Sequence, residues 1–147
     1  MFFLKELPSR RMVDGYANQF ADVDAECVLD ALRLMRRASL LIRELEAYFT
    51  RHDLSQLRFL TMILIDREPE RECLAASEIA ERLDVSRPVV TRTLQGLEKA
   101  GLVEISENVD DARSRNVTLT LEGRGKLDEV LPGYFAILHR PDPGDEK

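Results

Sequence analysis

Apolar residues recur at helical spacing between about Asp24 and Arg51, which predicts one long helix there. They form two rows with 4-3 spacing, whereas an ordinary surface helix needs only one such row. Two rows predict that the helix is covered on both sides, and a second copy of the chain is the simplest additional cover. The rows are Val28, Leu32, Met35, Ile42 and Phe49, and Leu34, Ala38, Leu41, Leu45 and Tyr48.

Polar residues separate this helix from its neighbours. The stretch from Leu57 to Ile65 is almost continuously apolar, which predicts a buried core helix. Ser55 precedes this stretch and is predicted to cap the helix. Ser9 is predicted to cap a short helix near the start of the chain. The apolar stripe of that helix contains Met12, Val13, Tyr16 and Phe20. A free tail would not carry this many large apolar side chains. We therefore expect the segment to dock on a long helix, and we favour the long helix of the partner subunit over that of its own.

Residues 74–102 fit two short helices joined by a tight turn. Ser86 stands as a helix cap before Pro88, a residue that is tolerated in a first helical turn. The second helix would bury Val90, Leu94 and Leu97, and Gly101 would end it in the left-handed conformation.

The outer face of the second helix is rich in hydrogen-bond donors. Arginine reads guanine and glutamine reads adenine in the major groove, while hydroxyl groups suit phosphates. This face predicts a DNA-reading helix, although the same pattern also fits a solvated face without a ligand. The candidate DNA-binding residues of this helix are Ser86, Arg87, Thr91, Arg92 and Gln95.

Two short strands follow, at residues 102–106 and 115–121, with a polar hairpin tip between them. Val117, Leu119 and Leu121 are predicted to point inward. A ribbon after a helix-turn-helix is a wing, and arginine near its tip can enter the minor groove. The candidate residues are Arg113 and Arg115 for DNA contact, and Asp111, which is expected to pair with Arg113 and hold its side chain.

The order of these elements resembles the MarR family of bacterial regulators. The resemblance rests on SEIAERLDVSRPVVTRTLQGLEKAGLVE, on Asp111-Ala112-Arg113 and on the run VTLTLEG from Val117 to Gly123. It implies a homodimer that represses transcription and that a small-molecule effector or an oxidant releases from DNA. It also implies that Ser86 to Gln95 lie on the recognition helix and that Arg113 is the wing arginine. Asn108 stands where the family usually has Asp. Ala75 stands where family members tend to have a capping Ser or Thr, so we predict that the first helix of the motif begins at Ser77.

After Thr120 the resemblance implies two helices, but the apolar pattern supports one, with Pro132 as an expected kink, followed by a tail. We therefore expect the N-terminal segment to replace the second helix in the dimer interface. The fold class is mainly α, a winged helix-turn-helix with long dimerisation helices and a two-stranded wing. Residues 1–52 form the N-terminal extension and long helix, 53–121 the DNA-binding region, and 122–147 the C-terminal helix and tail of a single domain.

Composition limits the alternatives. A chain of 147 residues can bury a core without disulfides or metal, and no zinc-ligand spacing, cofactor motif or catalytic motif is present. We therefore expect a non-enzymatic protein without cofactor, metal or membrane span, in the cytoplasm. The net charge of −6 hides basic stretches, so it does not exclude DNA. A winged helix that binds protein remains the alternative. Cys27, flanked by acidic residues, is predicted to be a packed thiol.

Overall fold

The computed structural model describes residues 6–20, 22–68, 71, 73–107 and 115–140. The chain divides into two compact units, residues 1–45 and residues 46–147. Nine helices and strands occur in the described residues, and the division falls within the second helix.

The first unit contains α1, Arg10–Ala17, and most of α2, Ala25–Arg51, which confirms the predicted long helix. The Ser9 hydroxyl accepts a hydrogen bond from the Met12 amide at 3.4 Å, so the predicted cap is present. Arg10 forms an ion pair with Glu26 of the same chain at 2.9 Å. Both residues belong to one chain and are largely exposed, so docking of α1 on the partner's long helix stays a prediction.

Two sequence predictions in the first unit need correction. Of the α1 stripe only Val13 is buried, and Met12, Tyr16 and Phe20 are 59%, 68% and 60% exposed. Cys27 is exposed on α2, so the predicted packed thiol is wrong. Periodicity identifies residues that share a face of a helix, but it does not say whether another element covers that face.

The second unit begins with the end of α2 and a tight turn into α3, Gln56–Asp66. Asp53 adopts a φ of 57° in this turn, a left-handed conformation that Asp tolerates better than most residues. The Ser55 hydroxyl caps α3 as predicted, accepting from the Arg58 amide at 3.3 Å. Phe59 of α3 is fully buried and packs on Phe49 and Tyr134, with ring centroids 4.6 and 4.7 Å away. These contacts form an aromatic centre in the core.

A three-residue strand, β1 (Cys73–Ala75), precedes the helix-turn-helix and was not predicted. The first helix of that motif, α4, spans Ala76–Arg82, so the predicted start at Ser77 is wrong. Ala75 has no side-chain acceptor, but the Glu78 carboxylate accepts a hydrogen bond from the Ala75 amide at 2.8 Å. This contact from the third helical position supplies the half of a capping box that does not need a serine. The second helix, α5, spans Arg87–Lys99.

The strand β3 (Arg115–Leu119) lies between β1 and β2 (Val103–Glu107) and pairs with both, in an antiparallel sheet of order β1-β3-β2. The wing is therefore part of a three-stranded sheet and not an isolated two-stranded ribbon. Val117 and Leu119 face inward as predicted, but Leu121 is 88% exposed and is the first residue of the next helix. The strand was predicted too long because the alternation of apolar and polar residues continues to Leu121, the first residue of the helix.

The last described helix, α6, spans Leu121–Leu138 and continues through Pro132. Thr120 caps it: its hydroxyl accepts from the Gly123 amide at 3.0 Å and donates to the Gly101 carbonyl at 2.6 Å. A Cβ atom at Gly123 would lie 3.0 Å from the Leu102 carbonyl carbon and closer still to its oxygen. The Thr120-x-x-Gly123 pattern thus joins α6 directly to the turn that follows α5.

Candidate nucleic-acid interface

Helix α5 has one buried face and one polar exposed face. Val90, Leu94 and Leu97 are buried, with relative exposures of 2%, 3% and 0%. Gly101, with a φ of 72°, follows the helix as predicted. The five candidate residues of this segment are all exposed: Ser86, Arg87, Thr91, Arg92 and Gln95. The fold therefore presents the predicted set of side chains together, on the side of α5 that faces away from the core.

The two hydroxyl groups of this set differ in what they can offer. Ser86 is the N-cap, but its main-chain carbonyl accepts the helix amides and its hydroxyl makes no capping hydrogen bond. The Thr91 hydroxyl donates to the Arg87 carbonyl at 3.0 Å, one turn earlier. The hydroxyl proton of Thr91 is therefore already donated within the helix, so toward DNA this hydroxyl can only accept hydrogen bonds. Ser86 is the better placed of the two to donate to a phosphate oxygen.

The two arginines of α5 are not paired with carboxylates in the described part of the chain. Neither Arg87 nor Arg92 forms an ion pair with another described residue. The Gln95 amide is exposed one turn after Arg92. An arginine that is not committed to a carboxylate keeps both prongs of its guanidinium for a bidentate contact.

The wing is only partly described. Arg115 is exposed at the start of β3, directly opposite Glu107 of β2 in the antiparallel register. Asp111 and Arg113 belong to residues 108–114, which lie outside the described residues, and so does Asn108. The expected pairing of Asp111 with Arg113 therefore stays a prediction.

Sequence analysis missed a charge network that supports the helix-turn-helix. Arg71 forms ion pairs with Glu78 at 2.9 Å and with Glu68 at 3.1 Å, and Glu68 also pairs with Arg82. Hydrogen bonds from Arg82 and then Arg71 lower the pKa of Glu68, and those from Arg71 and the Ala75 amide lower the pKa of Glu78. Glu68 and Arg82 lie 14 positions apart, and Arg71 and Glu78 lie on either side of β1, so helical spacing does not indicate these two pairs.

Other site chemistry is not evident in the described residues. No three His, Cys, Asp or Glu side chains of this part of the chain are grouped so that they could hold a metal ion. Among the same residues, no helix has the length and apolar character needed to cross a membrane.

Comparison with known proteins agrees with the geometry. A family model described as MarR family matches residues 52–114. The HTH-type transcriptional repressor YetL of Bacillus subtilis is 31% identical over 134 residues, covering 90% of this chain and 79% of the repressor.

Solved structures agree as well. The Mycobacterium tuberculosis regulator MosR in complex with DNA is 26% identical, with a TM-score of 0.60 over 74% of this chain and 76% of that protein. Streptomyces coelicolor Sco3205, also in complex with DNA, shares the fold with a TM-score of 0.75 at 23% identity, over 84% and 81% of the two chains. The chain spans most of the length of each relative, and it belongs to the MarR family of transcriptional regulators.

Proposed function

We propose that the chain represses transcription as a cytoplasmic homodimer that binds a pseudo-palindromic operator through α5. The single observation that supports this most directly is the exposed polar face of α5, where Arg92 and Gln95 lie one turn apart and Arg92 forms no ion pair with a described residue. Arg92 and Gln95 would read base edges in the major groove, and Ser86, Arg87 and Thr91 would contact phosphates or neighbouring bases.

The wing would add contacts beside the major groove. Arg113 would enter the minor groove, where negative potential is enhanced, and Arg115 would contact the adjacent backbone. Asp111 would orient Arg113 by an ion pair. These three roles rest on the resemblance and on the exposed position of Arg115 at the base of the wing.

Dimerisation is supported by the uncovered side of α2. Leu34 and Met35 are 66% and 54% exposed, and Leu41 and Ile42, seven positions later, are 38% and 44% exposed. Large apolar side chains repeated over two turns in this way are typical of a helix that packs against a partner. The same dimer would present two copies of α5 to successive major grooves, with half-sites about 10 base pairs apart.

A small-molecule effector would bind in a groove of about 610 Å³ in the second unit. Leu54, Leu57 and Leu60 provide its apolar lining, and Glu46 and Thr50 of α2 provide polar groups. Its volume is in the range of ligand pockets for drug-sized molecules. Glu46 adds negative charge, which favours neutral or cationic effectors over carboxylates.

A protein-docking role for the winged helix is not favoured by any observation. An apolar outer face on α5 would favour a protein partner, but the exposed residues of α5 are polar or charged except for Pro88.

Selection of bound duplexes from a random pool tests the proposal. We expect enrichment of a two-fold symmetric site, bound as one dimer, with affinity that falls steeply as salt is raised. Asymmetric enriched sites, or enrichment of none, would contradict the proposed function.

A further inference from the structure

Helix α3 places an arginine side chain against the recognition helix at a glycine. A Cβ atom at Gly96 would lie 2.5 Å from Nη2 of Arg58 and 3.3 Å from its Cζ. The guanidinium of Arg58 therefore lies against the α5 backbone, in the space that a side chain at position 96 would occupy. Gly96 permits this close approach, at a cost in helix propensity.

The position of Gly96 gives this contact its significance. Gly96 follows Arg92 by four positions and precedes Lys99 by three, so all three share one face of α5. Arg92 and Lys99 are exposed. The guanidinium of Arg58 stands between them, where α5 itself has no side chain. Two helices thus jointly form one row of three cations along the edge of the proposed DNA-binding face.

Local structure does not explain why Arg58 is arginine. It is the third residue of α3, since its amide donates to the capping Ser55 hydroxyl. The first turn of a helix carries partial positive charge and prefers Glu or Gln at this position. Arg58 is half-buried, and it forms no ion pair with any other described residue. The positive charge of Arg58 is therefore repelled by the N-terminal end of α3, and no carboxylate in the described part of the chain neutralises it.

We propose that Arg58 binds a phosphate of the DNA backbone alongside the C-terminal half of α5, and that Gly96 is required to admit its guanidinium to that position. The inference rests on the proposed function, in which α5 enters the major groove. A guanidinium binds phosphate through two parallel N–H donors, so a preoriented arginine suits this contact better than lysine. A phosphate contact fixes the position of the protein on the duplex and carries no sequence information of its own.

Binding of fluorescent duplexes at several salt concentrations tests the assignment. For Arg58→Ala we expect the slope of log K against log salt to become shallower by about 1.8, because the dimer loses two phosphate contacts and each contributes about 0.9. The corresponding loss of affinity is about sixtyfold at 0.1 M salt, and it should be equal for the selected operator and for base-pair variants of it. Arg58→Lys should recover only part of the loss.

Arg67→Ala is the matched control, because Arg67 is an exposed arginine at the other end of α3. It removes the same charge from the same helix, and we expect its slope to equal that of the wild type. Thermal melting of each variant checks that the compared proteins are folded.

Gly96→Ala separates the DNA contact from folding. Alanine is a better helix former than glycine, and the clashing atom is the far end of a flexible side chain, so the fold should persist. Its Cβ displaces the guanidinium, so we expect the affinity and the slope to change as in Arg58→Ala. In the Arg58→Ala background the same substitution should have no further effect.

The outcomes distinguish the inference from the proposed function. If the wild type binds the operator and Arg92→Ala weakens that binding, but Arg58→Ala and Gly96→Ala keep the wild-type slope, Arg58 serves packing alone and the inference is overturned. If the wild type shows no salt-dependent binding to any duplex, the proposed function fails and the inference fails with it.

Discussion

The phenolic hydroxyl of Tyr48, near the end of α2, donates a hydrogen bond to the main-chain carbonyl of Val130 in α6 at 2.9 Å. The Tyr48 ring lies on Gly133, where a Cβ atom would stand 2.5 Å from Cζ and 2.7 Å from Cε2 of the ring. One turn away, His52 contacts the Glu129 carboxylate at 2.7 Å. These contacts join the last turns of α2 to the middle of α6 within the second unit.

Gly133→Ala should destabilise the protein although alanine favours helices. The new Cβ must displace the Tyr48 ring, and overpacking of this kind typically costs about 1–3 kcal/mol. Chemical denaturation measures the change. In a Tyr48→Ala background the same substitution should be neutral or stabilising, because the clashing ring is absent. Equal destabilisation in both backgrounds would show that the ring does not require this glycine.

Thr120→Val should lower stability by about 1–2 kcal/mol, since it removes the α6 cap and the hydrogen bond to Gly101 while keeping side-chain volume. Thr120→Ser keeps the hydroxyl and should retain most of the stability. The free energy of unfolding from urea titration compares the three proteins. A serine variant as unstable as the valine variant would mean that the methyl group matters and the cap does not.

The charge network of Arg71 should make stability depend on pH in the acid range. The pKa values of Glu68 and Glu78 are lowered from 4.5 in the folded protein by hydrogen bonds from arginine. The contribution of a carboxylate with a lowered pKa is complete above its unfolded pKa and is lost as the pH falls through the folded value. We expect the melting temperature to fall between about pH 5 and pH 3.

Glu78→Gln isolates that contribution, because glutamine can still accept the capping hydrogen bond from Ala75 but carries no charge. Its melting temperature should vary less over the acid range than that of the wild type. Glu104→Gln, at an exposed position of β2, is the control and should follow the wild-type curve. Parallel curves for all three proteins would rule out a role for the network in acid stability.

Leu34→Lys should weaken the proposed dimer. Burying a leucine is worth at least about 1.5 kcal/mol, and a two-fold interface contains two copies, so the dissociation constant should rise roughly a hundredfold or more. Light scattering over a range of concentrations gives the mass. Leu121→Lys, at an even more exposed leucine on α6, is the control. A mass unchanged by Leu34→Lys would exclude this face of α2 from the interface.

Arg92→Ala should reduce operator affinity by roughly 1–3 kcal/mol and relax the base preference at one position of each half-site. Competition between operator variants measures that preference. The control Arg67→Ala should change neither the operator affinity nor the base preference. If Arg92→Ala lowered the affinity for every sequence equally, Arg92 would be a phosphate contact and another side chain would read the base.

The local features of this chain were predictable from sequence because their partners lie within one or two helical turns. The caps at Ser9 and Ser55 and the buried face of Val90, Leu94 and Leu97 depend on neighbours three or four positions away. The same reasoning located the left-handed Gly101 and the exposed polar face of α5, which together define the candidate interface.

Tertiary structure alone decided the contacts between distant positions. Strand β1 has only three residues, too few for a period, and it forms because β3 offers an edge to pair with. Tyr48 and Val130 are 82 positions apart, and the Arg58 guanidinium reaches Gly96 from another helix. Spacing shows which face of a helix a residue occupies, but the neighbour of that face depends on how the chain turns between helices. For that reason Arg58, an ordinary surface arginine by sequence, is assigned to the DNA-binding edge only by its place in the fold.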